Sequence, residues 1–246
     1  MGLFSFRSLW AVLTLACLAM AVPAAAAQGG RAADASELAA RIQKRYQGVK
    51  SLAADYTRAS RFVALGAQGS REVRASGRLL WARPVKLRLE QDSPRRELII
   101  AGGGVAWWVR PQRKRADLYP LDRFTGGLVS LLDALGGLSR LDRDFKVSLA
   151  APEMAAEAPA GSLVLSLEPR YQRADLKRLV LWLGPRDLLL RGFAIYNLVG
   201  DVTIYRLERV RINVPAPAGD FAYQPPVDYR VADHRPLPAI KDKGGR

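Results

Sequence analysis

A strict alternation of apolar and charged residues, interrupted by a proline, is the feature that most restricts this chain. The stretch runs Gly77-Arg78-Leu79-Leu80-Trp81-Ala82-Arg83-Pro84-Val85-Lys86-Leu87-Arg88-Leu89. After Pro84, Val85, Leu87 and Leu89 fall on one face and Lys86, Arg88 and Glu90 on the other, the two-residue period of a half-buried strand. Pro84 has no N–H to give a sheet ladder and pushes Arg83 into an extended conformation, so two strands are broken here at a bulge, an edge or a turn. One face is apolar and the other meets water. Whether the apolar face closes on a packed core or lines a cavity decides what the protein does.

More strands surround this pair. Residues 51–65, with Leu52, Tyr56, Phe62 and Val63, read as an extended strand, 66–69 as a turn and 72–81 as its partner. Strands at 98–101 and 105–110 are joined by Gly102-Gly103-Gly104, which supplies the positive φ angles of a hairpin turn. In the second of them Val105, Trp107 and Val109 share a face and Trp108 takes the other, which predicts cover on both sides. A basic turn or edge follows at 111–115. Alternation returns at Phe145, Val147 and Leu149, then in strands at 163–167, 176–183, 187–195 and 202–214, the last long enough to be bent. The Ala/Pro/Glu-rich stretch 150–161 reads as an exposed loop and the tail from Asp233 as polar and loose at its end.

Two segments break the β pattern. In 35–47 the apolar residues Leu38, Ile42 and Tyr46 recur at helical spacing, with Asp34 or Ser36 to cap the start and Gly48 to end it. In 122–141 the residues Leu128, Val129, Leu131, Leu132 and Leu135 form an apolar helical run between Gly126-Gly127 and Gly136-Gly137. A helix hung between glycine pairs suits a movable lid and an ordinary buried helix equally.

The N-terminus has Arg7, an apolar run from Leu9 to Val22 and Ala25-Ala26-Ala27 before Gln28, the three parts of a secretory signal cut after Ala27. Residues 1–27 are then the signal peptide and 28–246 a single domain, a length that one α+β or all-β core accommodates. Cys17 is the only cysteine. Cleavage after Ala27 removes it, and with it any disulfide or thiol chemistry. Lipid attachment at Cys17 is the rival, although Thr14-Leu15-Ala16 fits that pattern poorly. Removing residues 1–27 lowers the net charge of +15 only by Arg7. Such a surplus attracts anionic lipid, acidic protein or nucleic acid, and export disfavours the last. The same arginines also suit the solvated face of strands.

Little in the sequence supports catalysis. His234 is the only histidine and sits in the polar tail, where a solvated side chain is the expectation. No Cys/His cluster has metal-ligand spacing, and no glycine-rich loop joins a strand to a helix to cradle phosphate. The expectation is a non-enzymatic protein without a cofactor.

The order of these elements, with several short motifs, resembles the outer-membrane lipoprotein carrier family, LolA. The residues that carry the resemblance are the N-terminal helix, the segment from Ser51-Leu52 to Thr57, Trp81-x-Arg83-Pro84, Gly104 with Trp107, Pro111-Gln112, Gly200-Asp201, and Phe221-x-Tyr223-x-Pro225-Pro226 to Val231. The resemblance implies an incomplete antiparallel β-barrel, a half-barrel, with a helical lid over an apolar cavity for acyl chains. It implies a periplasmic carrier that takes acylated lipoproteins from an inner-membrane lipoprotein-releasing ABC transporter to an outer-membrane receptor lipoprotein, acting as a monomer and without nucleic acid. Arg83 falls on the family's lid-latch arginine. Leu87, Leu89, Leu98, Trp107, Val129, Leu131, Leu132 and Leu135 are the cavity candidates. Leu87 and Leu89 stand where the family often carries aromatic residues, a departure that bears on cavity shape. A lipid-binding envelope sensor on the same half-barrel is the alternative. The physical chemistry agrees on one point: at roughly 0.8 kcal/mol per methylene, a sixteen-carbon chain left in water forfeits on the order of 12 kcal/mol, so a carrier needs an apolar pocket.

Overall fold

The computed structural model describes residues 24–63, 71–124, 132, 134–173 and 175–236, with side chains from Asp34 onward. Helix α1 (Ala24–Gln47) leads into twelve strands: β1 (Ser51–Phe62), β2 (Arg71–Ala82), β3 (Lys86–Ser93), β4 (Glu97–Gly102), β5 (Val105–Arg110), β6 (Arg115–Pro120), β7 (Phe145–Leu149), β8 (Leu163–Pro169), β9 (Arg178–Leu183), β10 (Leu190–Tyr196), β11 (Val202–Ile212) and β12 (Arg230–Asp233). They form one sheet in the order β12-β6-β5-β4-β3-β2-β1-β11-β10-β9-β8-β7. Neighbours are antiparallel except β12, which runs parallel to β6. The ends β12 and β7 do not pair, so the sheet stays open, the α+β half-barrel architecture expected from the sequence.

Local chemistry places the turns. The β2–β3 connection contains Arg83-Pro84, where the peptide is cis, and the Arg83 N–H donates to the Lys50 carbonyl at 3.0 Å. Gly103 and Gly104 take φ of 61° and 80° between β4 and β5, a conformation that residues with a Cβ adopt only under strain. Residues 64–70 lie outside the described residues, and so does the turn expected at 66–69.

One face of the sheet is covered by helix. Ala35, Leu38, Ala39, Ile42 and Tyr46 of α1 pack on Leu52, Leu79, Trp81 and Leu87, together with Leu132, Leu135, Leu138 and Leu141 from the segment between β6 and β7. That segment ends in a short helix, α2 (Leu141–Asp144). Helix α1 begins at Ala24 rather than near Ala35, extending over alanine-rich sequence of high helix propensity and across the expected signal cleavage point. The greater part of the expected signal peptide, residues 1–23, lies outside the described residues.

The opposite face also carries two apolar layers, and both correct the sequence reading. Val180, Trp182, Ala194 and Ile204 point away from α1 and are covered by Ala150, Met154 and Ala158. The stretch 150–161 is therefore a packed cover containing the helix α3 (Pro152–Ala155), not an exposed loop. The physical reason is β9 itself, whose Leu179-Val180-Leu181-Trp182-Leu183 is buried on both faces and needs cover on each. Further along, Phe221, Ala216 and Tyr223 pack on Ala82, Leu98, Ile100 and Trp107.

Candidate functional site

The concave face, the one beneath α1, divides along β3. Around Leu87, which has no exposed surface, it is filled by α1 and the 132–141 side chains and is a packed core. Two residues further along, Leu89 borders a cleft of about 160 Å³. Ile99, Trp108, Tyr119 and Phe124 supply its remaining apolar wall, while Arg58, Gln91 and Glu97 line it with polar groups. Phe124 packs edge-on against Tyr119 with centroids 5.4 Å apart.

The polar lining is ordered but incomplete. Arg58 donates from Nη2 to Gln91 Oε1 at 3.3 Å, and Gln91 Nε2 donates to the Arg95 carbonyl at 2.9 Å. Trp108 Nε1 donates to Glu97 Oε2 at 3.0 Å, and the Arg110 guanidinium sits 4.3 Å from the Trp108 ring centroid. Arg58 Nε and the Tyr56 hydroxyl are two of six side-chain polar atoms among the described residues that are shut off from solvent without a hydrogen-bond partner. Burial pushes the Tyr56 hydroxyl above its ordinary pKa. For Arg58 burial works against the charge, but Tyr205, Tyr56 and Glu97 outweigh it and the guanidinium is held protonated above its usual range.

Behind Trp108, Asp117 is fully buried and collects three partners. Arg115 bonds it at 2.7 Å, His234 Nε2 lies 3.1 Å from Oδ1, and Arg110 also bonds it. Burial raises the carboxyl pKa, yet the hydrogen bonds from Arg115, His234 and Arg110 more than offset that and bring it to about 2. The His234 ring stacks on Tyr119, 4.2 Å between centroids and 6° from parallel. His234 is thus not the free tail residue the sequence suggested: β12 zips along β6 and delivers it to a buried carboxylate.

The sequence-derived candidates separate into groups. Leu87, Leu89, Leu132 and Leu135 come together in the concave core, and Leu89 alone of these reaches the cleft. Leu98 and Trp107 do not join them. They lie on the convex face under Phe221 and Tyr223, with Trp107 and Tyr223 centroids 5.5 Å apart, so their assignment to the cavity is corrected. The alternation of β5 was right, but the side facing the cleft is that of Trp108. Val129 and Leu131 lie outside the described residues.

Arg83 does not reach the expected lid among the described residues. Its Nε donates to the Val49 carbonyl at 2.7 Å and its Nη2 to the Tyr46 carbonyl at 2.9 Å, so it binds the C-terminal end of α1. A guanidinium has several fixed donors, and here two of them reach one carbonyl in the last turn of α1 and one in the connection that follows, the Tyr46 carbonyl also accepting the Val49 N–H. Arg83 thus ties the end of α1 to the β2–β3 connection, and residues 125–131 and 133 of the segment expected as its lid lie outside the described residues.

Sequence reasoning missed Arg58, Glu97, Tyr119 and Asp117. For Arg58 the signal was available: Leu52, Ala54, Tyr56, Arg58 and Ser60 alternate toward the concave side, and an arginine stands in that apolar phase. A larger groove of about 420 Å³ crosses the convex face over β11, β1, β2 and β3, but charged residues such as Arg78, Arg88, Arg209 and Asp55 line it and suit it poorly to an acyl chain.

Comparison with known proteins bears on this arrangement. Residues 47–224 match the family model described as outer membrane lipoprotein carrier protein LolA. An outer-membrane lipoprotein carrier protein of Chromobacterium violaceum is 30% identical over 207 residues, 82% of this chain and 91% of that protein. One from Legionella pneumophila (strain Corby) is 28% identical over 160 residues, 64% of this chain and 73% of that protein. Among solved structures, a LolA superfamily protein from Nitrosomonas europaea aligns with a TM-score of 0.41 at 14% identity, covering 77% of this chain and 97% of that one.

Proposed function

Because the chain belongs to the outer membrane lipoprotein carrier family, we propose that it is a periplasmic carrier that shields the acyl chains of lipoproteins and hands them on without making or breaking covalent bonds. The observation that supports this reading is the split concave face. The cleft beside Leu89 and Trp108 is continuous in chain position with a core whose cover, α1 and the 132–141 side chains, comes from helical segments rather than from the sheet. An acyl chain enters by displacing those side chains, exchanging one apolar contact for another, so the grip is moderate and release remains feasible. A carrier needs that balance, since full burial of a sixteen-carbon chain at roughly 0.8 kcal/mol per methylene would hold cargo too tightly to pass on.

The finer parts of the reading follow from it. Residues 1–27 are the export signal and 28–246 the mature carrier. Cargo arrives from an inner-membrane lipoprotein-releasing ABC transporter and leaves to an outer-membrane receptor, and the carrier works as a monomer. Leu89, with Leu87, Leu132 and Leu135 behind it, forms the acyl path.

The test is direct binding. Mature protein stripped of lipid in detergent and refolded should bind a fluorescent apolar dye saturably and release it when a diacylated lipopeptide is added. A protein that takes up neither probe overturns the carrier reading.

A further inference from the structure

A second pocket, of about 230 Å³, adjoins the cleft and shares Glu97 and Trp108 with it. It lies between two turns at the same end of the sheet, the β3–β4 connection with Arg95 and Arg96 and the β5–β6 connection with Arg113. Arg110 completes the wall, its guanidinium over the Trp108 ring. Four arginines therefore meet one carboxylate, that of Glu97. Arg110 is already committed to the buried Asp117. Arg95, Arg96 and Arg113 are exposed, and the side chain of none of them has an ion-pair or hydrogen-bond partner among the described residues. In the convex groove, by contrast, Arg78 and Arg88 pair with Glu90 and Arg209 pairs with Asp55.

Like charges gathered without counter-ions repel one another, and an anion entering among them relieves that repulsion. Two turns and a strand supply the guanidinia, so donors come from several directions. That suits the tetrahedral oxygens of a phosphate better than the two coplanar oxygens of a carboxylate. The shared wall decides what carries the phosphate. Trp108 borders both spaces, and Glu97, held by Trp108 Nε1, keeps an anion on the arginine side. Whatever is attached to that anion has within reach an apolar cleft walled by Leu89, Ile99 and Phe124. The ligand that satisfies both spaces is an amphiphile with its charge at the turns and its methylenes in the cleft.

We propose that the arginine pocket binds the phosphate of an anionic phospholipid, with the first part of an acyl chain passing Trp108 into the cleft. The proposal goes beyond the carrier reading and rests on it only in requiring that the cleft admit methylenes. It also gives part of the chain's positive surplus, +15 in all, a use that acyl chains alone do not. A zwitterionic headgroup is disfavoured, because its ammonium enters among cations.

The experiment titrates the mature protein by calorimetry, at pH 7.5 and low salt, with three probes below their aggregation thresholds: dihexanoylphosphatidylglycerol, dihexanoylphosphatidylcholine and glycerol 1-phosphate. The anionic lipid should bind at least about tenfold more tightly than either of the others. Arg96→Gln and Arg113→Gln should each weaken it about fivefold. Arg186→Gln removes the same charge from the exposed turn after β9, at the opposite end of the sheet, and should change it less than about twofold. Uptake of a fluorescent apolar dye should stay within about twofold in all three variants, which separates this test from that of the carrier reading. Equal affinity for the two lipids, or equal effects of the Arg96, Arg113 and Arg186 variants, overturns the pocket. Glycerol 1-phosphate binding as tightly as the anionic lipid marks a site for soluble phosphates and overturns the lipid assignment. A protein that takes up the dye but not the anionic lipid overturns the pocket and leaves the carrier reading in place, while uptake of neither overturns both.

Discussion

Arg83 donates from Nη2 to the Tyr46 carbonyl at 2.9 Å, joining the turn between two strands to the last turn of the N-terminal helix. The Tyr46 hydroxyl meanwhile accepts the Leu190 N–H at 2.8 Å, and burial pushes that hydroxyl up to about 12. One residue thus anchors the helix cover at both sides of the sheet. Replacing Arg83 with leucine removes two charge-assisted hydrogen bonds and takes the side-chain donor from the Val49 carbonyl, so urea unfolding should show a loss of about 1–2 kcal/mol. Arg83→Lys should recover less than half, since an ammonium lacks the fork that meets both carbonyls.

Gly77 lies in β2 opposite Gln91 of β3, beside a register shift between Ser76 and Gly77. A Cβ there would overlap the Glu90 carbonyl oxygen. Gly77→Ala should therefore lower stability by about 1–3 kcal/mol, visible as a drop in Tm, and should disturb the cleft wall carried by β3. An unchanged Tm would show that the strands separate without cost.

The Asp117 cluster sets an acid limit. A carboxyl held at about 2 in the folded protein and near its ordinary 3.8 in the unfolded chain binds more protons when unfolded across that interval. Its contribution is fully present above pH 4 and fades as pH falls toward 2. Comparing the stability of wild type and Asp117→Asn from pH 7 to 2 should show a gap that is constant above pH 4 and narrows below it. At pH 7 the substitution should cost about 3 kcal/mol, because it leaves Arg110 and Arg115 facing a neutral group.

His234 holds the short strand β12 on its parallel neighbour by stacking on Tyr119 and bonding Asp117. Four residues of parallel pairing are a weak attachment by themselves. His234→Ala should let the C-terminal segment detach, so that limited proteolysis cuts near 228–236 several times faster while the rest of the sheet resists. Equal cutting rates would mean that the backbone ladder alone holds the strand.

Much of this molecule was readable in advance, for physical reasons that differ by element. Leu87 and Leu89 declared their face because Lys86, Arg88 and Glu90 alternate with them, and Gly103-Gly104 declared a turn because only glycine takes such φ angles freely. Leu98 and Trp107 were legible as a shared face but not as the convex one, since alternation gives parity and not direction when a sheet is covered on both sides. The cover at 150–161 hid behind a loop-like composition, its cause lying in Trp182 far along the chain. Strand β6 escaped because its concave phase carries Arg115, Asp117 and Tyr119, polar groups that satisfy one another only after His234 arrives from the other end of the chain. Arg58 was visible as an anomaly of pattern, but its meaning depended on Gln91 and Glu97 from other strands.

The unpaired ends of the sheet carry one further consequence. A barrel closed by hydrogen bonds has its girth fixed by strand number and stagger, and widening it means breaking a ladder. Here β12 and β7 share no ladder, so no hydrogen-bond ladder between them fixes the circumference. On the carrier reading, a second or third acyl chain would be taken up by stretching side-chain contacts between helix and sheet, with the backbone hydrogen bonds of the wall intact. Capacity in such a vessel would then be governed by how far its lining yields, and cargoes of different bulk would share one container without any change in its frame.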